Sequence, residues 1–197
     1  MSYSTANIRN VALAGHPGAG KTTLFEALLQ AGGALQTAGS IERGTTVSDF
    51  DPIEKQRGHS VDAAIASIDH AGVHINLIDT PGYPDFRGPA LSALAAVETV
   101  VVVVDADSGV EYGTRRMMGY APARNLCRVL VNNKIDHDGA ASARVLDQLR
   151  DTFGPECLPL NLPANGGKSV VGCLSDTTGD SDLGPVGDWH QKIIDHI

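Results

Sequence analysis

The chain has 197 residues, 42% of them hydrophobic and 19% charged, which is the composition of a folded domain large enough to close its own core. A formal charge of -8 argues against this chain wrapping nucleic acid by itself, which removes DNA and leaves only docking on RNA through a local patch. Cys127, Cys157 and Cys173 lack metal-ligand spacing, no apolar run reaches the length of a membrane span, and the start does not read as a signal peptide. The expectation is a cytoplasmic chain with no membrane partner, its cysteines serving as core packing.

Residues 1–7 are polar and are expected to fray. Val11, Ala12, Leu13 and Ala14 predict a buried parallel strand, and Leu24, Phe25, Leu28 and Leu29 recur at helical spacing. Between them, Gly15-x-x-x-x-Gly20-Lys21-Thr22 fits a phosphate-binding loop at every required position. Gly15, Gly18 and Gly20 let the backbone curl with its N–H groups inward, and the following helix N-terminus adds partial positive charge. Lys21 would reach the outer phosphates, and the Thr22 hydroxyl would hold Mg²⁺. The alternative is a Gly-rich strand-to-helix turn that matches by chance.

Gly32 to His59 is rich in Gly, Thr, Asp and charge and reads as a long functional loop, and Gly32 to Ser60 is expected to be mobile unless nucleotide and Mg²⁺ are bound. Val61–Asp69 and Val73–Ile78 predict an antiparallel hairpin turning at His70-Ala71-Gly72. A short helix is expected over Ala90–Ala96, then a central strand in the five valines from Val100 to Val104. Glu111–Arg124 predicts a helix that Pro122 kinks or ends, with Arg115 and Arg116 on a solvated face. Arg128–Asn132 predicts a strand, and Ala140–Phe153 an amphipathic helix burying Leu146, Leu149 and Phe153. Beyond Gly154, prolines and glycines break up short apolar pieces, with a strand expected over Ser169–Leu174, a polar loop over Thr177–Asp182 and a helix over Trp189–Ile197. Alternating strands and helices make this an α/β fold, a mostly parallel sheet with one antiparallel edge hairpin, flanked by helices.

Two further motifs follow predicted strands. Asp79-Thr80-Pro81-Gly82 falls on the strand edge where open α/β sheets bind ligands. There Asp79 can hold a water on Mg²⁺ and the Gly82 N–H can bond a γ-phosphate, the arrangement of a nucleotide switch; a plain strand-end turn is the competing reading. In Asn133-Lys134-Ile135-Asp136, the Asp136 carboxylate can accept two N–H bonds from guanine, a pair that adenine does not offer. Asn133 would tie this loop to the phosphate loop and the stem of Lys134 would cover the base. Three motifs in this order point to GTP and GDP. Asp105 and Asp107 read as a strand-end cap, and His70 and His74 as solvated histidines.

The run from Ala14 to Leu24 resembles the opening of elongation factor G and its relatives. Asp79 to Phe86, Asp105 to Glu111 and Asn133 to Asp136 are similar to that family's later motifs, and Leu158 to Pro163 resembles the start of its inserted subdomain. Glu42 to Pro52 resembles the divergent elongation-factor-G-like branch. The resemblance implies a P-loop GTPase domain over residues 1–153 and a truncated insertion over 154–197. It further implies His16, Pro17, Ala19 and Thr23 among the nucleotide-binding residues, GTP hydrolysis with Lys21, Gly82 and the position of Tyr83 in the catalytic centre, and the ribosome, its RNA and proteins, as partner.

Three departures from the family pattern matter. Ser60, in Arg57-Gly58-His59-Ser60, stands where the family places a Mg²⁺-binding threonine of its first switch, and it still offers an oxygen. Tyr83 stands where the family usually has a water-placing histidine, and a phenol is a poorer base at neutral pH. A Ser-Ala-x element touching the guanine oxygen is not found before Ile197, so the chain reads as a fragment cut within the insertion. The expectation is a GTPase that is slow without the ribosome. A GTP-binding interaction module with negligible hydrolysis is the alternative, and an ATP-dependent enzyme is disfavoured by Asp136.

Overall fold

The computed structural model describes residues 3–137 and 141–196. Met1, Ser2 and the expected helix ends at Ala140 and Ile197 lie outside the described residues. The chain divides into two compact units, Met1–Val104 with Glu111–Val131, and Asp105–Val110 with Asn132–Ile197.

The first unit is built on a five-stranded sheet. Its strands are β1 (Ile8–Gly15), β2 (Ala64–His70), β3 (Val73–Asp79), β4 (Thr99–Asp105) and β5 (Cys127–Asn133), in the order β2-β3-β1-β4-β5. The tips Asp105 and Asn132–Asn133 are grouped with the second unit. β1 pairs in parallel with β3 and β4, and β2 pairs antiparallel with β3, which is the mostly parallel sheet with one antiparallel edge hairpin that the sequence predicts. The hairpin turns on two residues, Ala71 and Gly72, both with positive φ, tighter than the expected three.

Strand alternation assigns the two faces of β1. Leu13, with Leu77 of β3, packs on Phe25 and Leu29 of α1 (Lys21–Ala31), and all four are buried. Ala12 and Ala14 point the other way and are fully buried; on that side α3 (Arg87–Ala95) and α4 (Tyr112–Tyr120) lie against β1. α3 starts earlier than expected, after a 3-10 turn at Pro84–Phe86, and α4 gives way to another at Pro122–Arg124. Arg116 is not on a solvated face: it is half-buried between the rings of Tyr112 and Tyr120. Cys127 is exposed rather than packed in the core, whereas Cys173 is buried.

The stretch expected to be a structureless loop contains α2 (Pro52–Arg57). Asp51 accepts from the Ile53 N–H while the Glu54 carboxylate accepts from the Asp51 N–H, a reciprocal cap, with Pro52 pre-set for the first turn. Glu54 also accepts the N–H groups of Val61 and Asp62, at 2.9 and 3.2 Å. Hydrogen bonds to the buried Glu54 carboxylate thus hold this part of the segment.

In the second unit, α5 (Ser142–Phe153) buries Val145 and Leu149. Leu146 of α5 packs on a cluster of Leu162, Cys173, Val186, Trp189 and Ile193. The chain there forms an antiparallel hairpin of β6 (Asn161–Ala164) and β7 (Ser169–Gly172). A two-residue pair, β8 (Asp180–Ser181) and β9 (Gly184–Pro185), follows, and α6 (Val186–Ile194) ends it. β6 and the β8–β9 pair were not legible, and α6 begins three residues before the expected Trp189. No helix among the described residues is long and apolar enough to cross a membrane.

Candidate functional site

β1 runs into the loop after Gly15, and α1 starts at Lys21 behind Gly20. Gly15 has φ +141°, and a Cβ there would run into the Val103 carbonyl of β4, so no other residue suits the turn. Lys21 is buried and its Nζ donates to the carbonyls of Gly15, at 3.3 Å, and His16, at 2.9 Å. Burial pushes the Lys21 pKa down, and the neighbouring Asp79 charge partly restores it. His16 Nε2 lies 3.2 Å from Glu111 Oε1.

Beside the loop is a cluster of oxygens. Thr22 Oγ1 donates to Asp79 Oδ2 at 2.6 Å and lies 3.3 Å from Ser60 Oγ. Ser60 Oγ in turn donates to Asp49 Oδ1 at 2.7 Å. The structure therefore brings together Thr22, Ser60 and Asp79 from three distant segments, the three residues chosen as Mg²⁺ ligands. It adds Asp49, buried like Asp79, which sequence reasoning missed. Asp49 lies in a stretch that carried family resemblance only, and nothing in its immediate neighbours marks it as buried.

Burial pushes the Asp79 carboxyl up to about 6, with Asp49 adding to the rise, while the Thr22 hydrogen bond and the Lys21 charge hold it down. Among the described residues, Asp79 Oδ1 is buried without a hydrogen-bond partner. Two buried carboxylates, two hydroxyls and an unpaired carboxylate oxygen suit a hard divalent cation that takes oxygen ligands and keeps part of its water shell. Among the described residues, no group of three or more His, Cys, Asp or Glu forms a metal site without other donors. Mg²⁺ thus fits the donors present.

Gly82 lies close above the phosphate loop. A Cβ on it would stand 2.5 Å from Lys21 Nζ and 2.9 Å from the Pro17 nitrogen, so the position demands glycine. Thr80 anchors this segment by donating to the Leu13 carbonyl at 2.7 Å. Tyr83 is 42% exposed, and its ring packs at 4.4 Å on His59, the residue before Ser60. A cavity of about 30 Å³, room for a water, is bounded by His16, Pro17, Gly82, Tyr83 and Tyr112, among others.

The base-side residues belong to the second unit. Lys134 takes a left-handed conformation at φ +59°, and its Nζ pairs with Asp105 Oδ2 at 2.7 Å. Burial would raise the Asp105 carboxyl, but hydrogen bonds from Lys134 and the Asp107 N–H outweigh it and hold it below the usual carboxylate range. Asp105 is thus the strand-end cap expected and also a clamp on Lys134. The Asn133 carbonyl accepts from the Ala106 N–H at 2.9 Å, and Asp136 is exposed at the loop tip. Gly167 of the β6–β7 turn approaches Ile135 so closely that a Cβ would collide with its carbonyl.

The model of the elongation factor Tu GTP binding domain matches residues 6–192. The chain belongs to that family of translational GTPases. It is 41% identical over 85% of its length to an elongation factor G-like protein of Mycobacterium tuberculosis, covering 23% of that protein. It is 39% identical over 83% of its length to peptide chain release factor 3 of Streptococcus agalactiae, covering 33% of it. A crystal structure of a Thermus thermophilus protein superposes with a TM-score of 0.86 at 35% identity, over 96% of this chain and 31% of that one. The chain of this translational GTPase family member therefore spans about a quarter to a third of the relatives it matches.

Proposed function

We propose that the chain is a Mg²⁺-dependent, GTP-hydrolysing switch of the elongation factor G type, working in the cytoplasm on the ribosome. Residues 1–153 are then its GTP-binding domain and 154–197 belong to an inserted subdomain. The observation that carries this reading is the buried meeting of Thr22, Ser60 and Asp79 beside a complete phosphate loop. The names of the Mycobacterium and Streptococcus relatives support a place in translation.

In this reading, Gly15 to Thr23 cradle the phosphates, with Lys21 turning its buried ammonium from the loop carbonyls to the outer phosphates. Thr22 and Ser60 would supply hydroxyl ligands, and Asp79 would hold a water, for a Mg²⁺ ion whose chemistry would be to neutralise phosphate charge. Gly82 presents its N–H to the γ-phosphate and lets the second switch close on Lys21 and Pro17. Asp136 reads the guanine N–H groups, and Lys134, its stem against the base, is steadied by Asp105. Tyr83, neutral at pH 7, orients or shields water and does not take its proton. Hydrolysis is therefore slow until the ribosome completes the centre.

Single-turnover hydrolysis of GTP by this chain, with and without ribosomes, tests the reading; stimulation by ribosomes is the expected result. Tight GTP binding with no hydrolysis under either condition would replace it with a GTP-loaded interaction module. Equal affinity for GDP and ADP would remove guanine recognition altogether.

A further inference from the structure

The first turns of α1 carry a second functional side chain on the same face as Thr22. Glu26 is one helical turn on, fully buried, and no cation pairs with it among the described residues. Its carboxylate accepts the Gly39 N–H through Oε2 at 2.8 Å and the Val47 N–H through Oε1 at 2.6 Å. Those two residues are the ends of one small loop. Within it, the Thr45 N–H donates to the Ser40 carbonyl and the Ser40 N–H to the Thr45 hydroxyl, both at 3.0 Å. Gly39 allows this closeness, because a Cβ there would stand 2.5 Å from the Thr45 carbonyl.

An isolated buried carboxylate is costly, and short charge-assisted bonds to backbone N–H groups are what make it tolerable. Here both donors come from the segment that leads directly into Ser48 and Asp49. Asp49 then holds Ser60, and Ser60 faces Thr22. Thr22 and Glu26, four residues apart on one helix, thus grip the first switch at two places. The Thr22 grip involves the groups proposed to meet Mg²⁺ and nucleotide. The Glu26 grip involves only the chain.

We propose that Glu26 is a positioning residue for GTP hydrolysis, which tethers the 39–47 loop to the phosphate-loop helix so that Asp49 and Ser60 are set against Thr22 and Asp79. Its partners are backbone N–H groups of this chain. The inference rests on the hydrolytic reading given above. It places part of the ordering of the first switch in the protein and leaves the remainder to the ligand.

The test is Glu26→Gln in the 197-residue chain. The amide oxygen still accepts one N–H, but its NH₂ faces the other donor, so one of the two bonds is lost without opening a cavity. Expected are a single-turnover rate at saturating GTP lower by about tenfold or more, and GDP affinity unchanged within about threefold. Tryptic cleavage after Arg43, inside the tethered loop, should speed up by a similar factor in the presence of Mg²⁺ and a non-hydrolysable GTP analogue. A purely structural role would instead lower the melting temperature and GDP affinity together, and that result overturns the proposal. So does an unchanged rate with unchanged cleavage. If the wild-type chain hydrolyses no GTP even with ribosomes, the hydrolytic reading fails; cleavage after Arg43 then still decides whether Glu26 is the tether.

Discussion

Replacing Asp79 by Asn should make the nucleotide-free protein more stable while taking away most of what Mg²⁺-GTP adds. The carboxyl is pushed from an ordinary 3.8 up to about 6, chiefly by burial and further by Asp49. The folded state therefore holds that proton more tightly than the unfolded chain does. The contribution to stability is complete below an ordinary carboxylate pKa and is lost as pH rises through about 6. Above that, the ionised group costs the empty fold about 3 kcal/mol, at 1.36 kcal/mol per pKa unit. An amide at the same place is uncharged, and its oxygen can still accept from Thr22. At pH 7.5, Asp79→Asn should raise the melting temperature by about 6–12 °C, taking 2–4 °C per kcal/mol for a chain of this size. The wild type should close about half of that gap as pH is lowered to 5. Addition of Mg²⁺ and GTP should stabilise the wild type far more than the variant. Thermal scans from pH 5 to 8, with and without ligand, decide the matter. A variant no more stable than wild type at pH 7.5 without nucleotide would refute the account of a carboxylate kept charged for a cation.

Asp136→Asn should turn preference from guanine to xanthine nucleotides, because an amide reverses the donor and acceptor offered to the base; competition binding with XDP against GDP reads this. Tyr83→His should raise ribosome-stimulated turnover or leave it unchanged, and a marked fall in stopped-flow hydrolysis would reveal a positive role for the phenol. Gly167→Ala should displace Ile135 and with it the Asp136 loop, weakening GDP binding by about tenfold or more in a titration, since a left-handed glycine with a carbonyl in the path of a Cβ tolerates no side chain.

Much of the site could be read directly from the chain. The phosphate loop with its strand and helix, Asp79 at the end of β3, the valine strand and the Asn133 to Asp136 loop are all where their local signals place them. Each depends on residues adjacent in sequence: glycine at a turn that admits no Cβ, apolar runs at strand period, an acid at a strand end. The edge hairpin was legible for the same reason, although its turn is tighter than composition suggests.

The segment from Gly32 to Ser60 was not legible in this way. Its composition offers little apolar surface, so it read as loose, yet α2 forms and Thr46, Ser48, Asp49 and Glu54 are buried. What holds it is a set of carboxylates, Glu26, Glu54 and Asp49, accepting from N–H and O–H groups 3 to 21 residues away. Such bonds leave no periodicity, because the acceptor is a side chain and many of its donors are backbone groups that every residue type but proline provides. β6, the partner of the expected β7 strand, and the half-burial of Arg116 between two tyrosines were hidden for a related reason: short, Pro- and Gly-broken pieces and a charged pair look solvated until their neighbours are known. Local chemistry wrote the nucleotide motifs into the chain, whereas the company kept by Thr22 and Glu26 exists only once distant segments have folded against one helix.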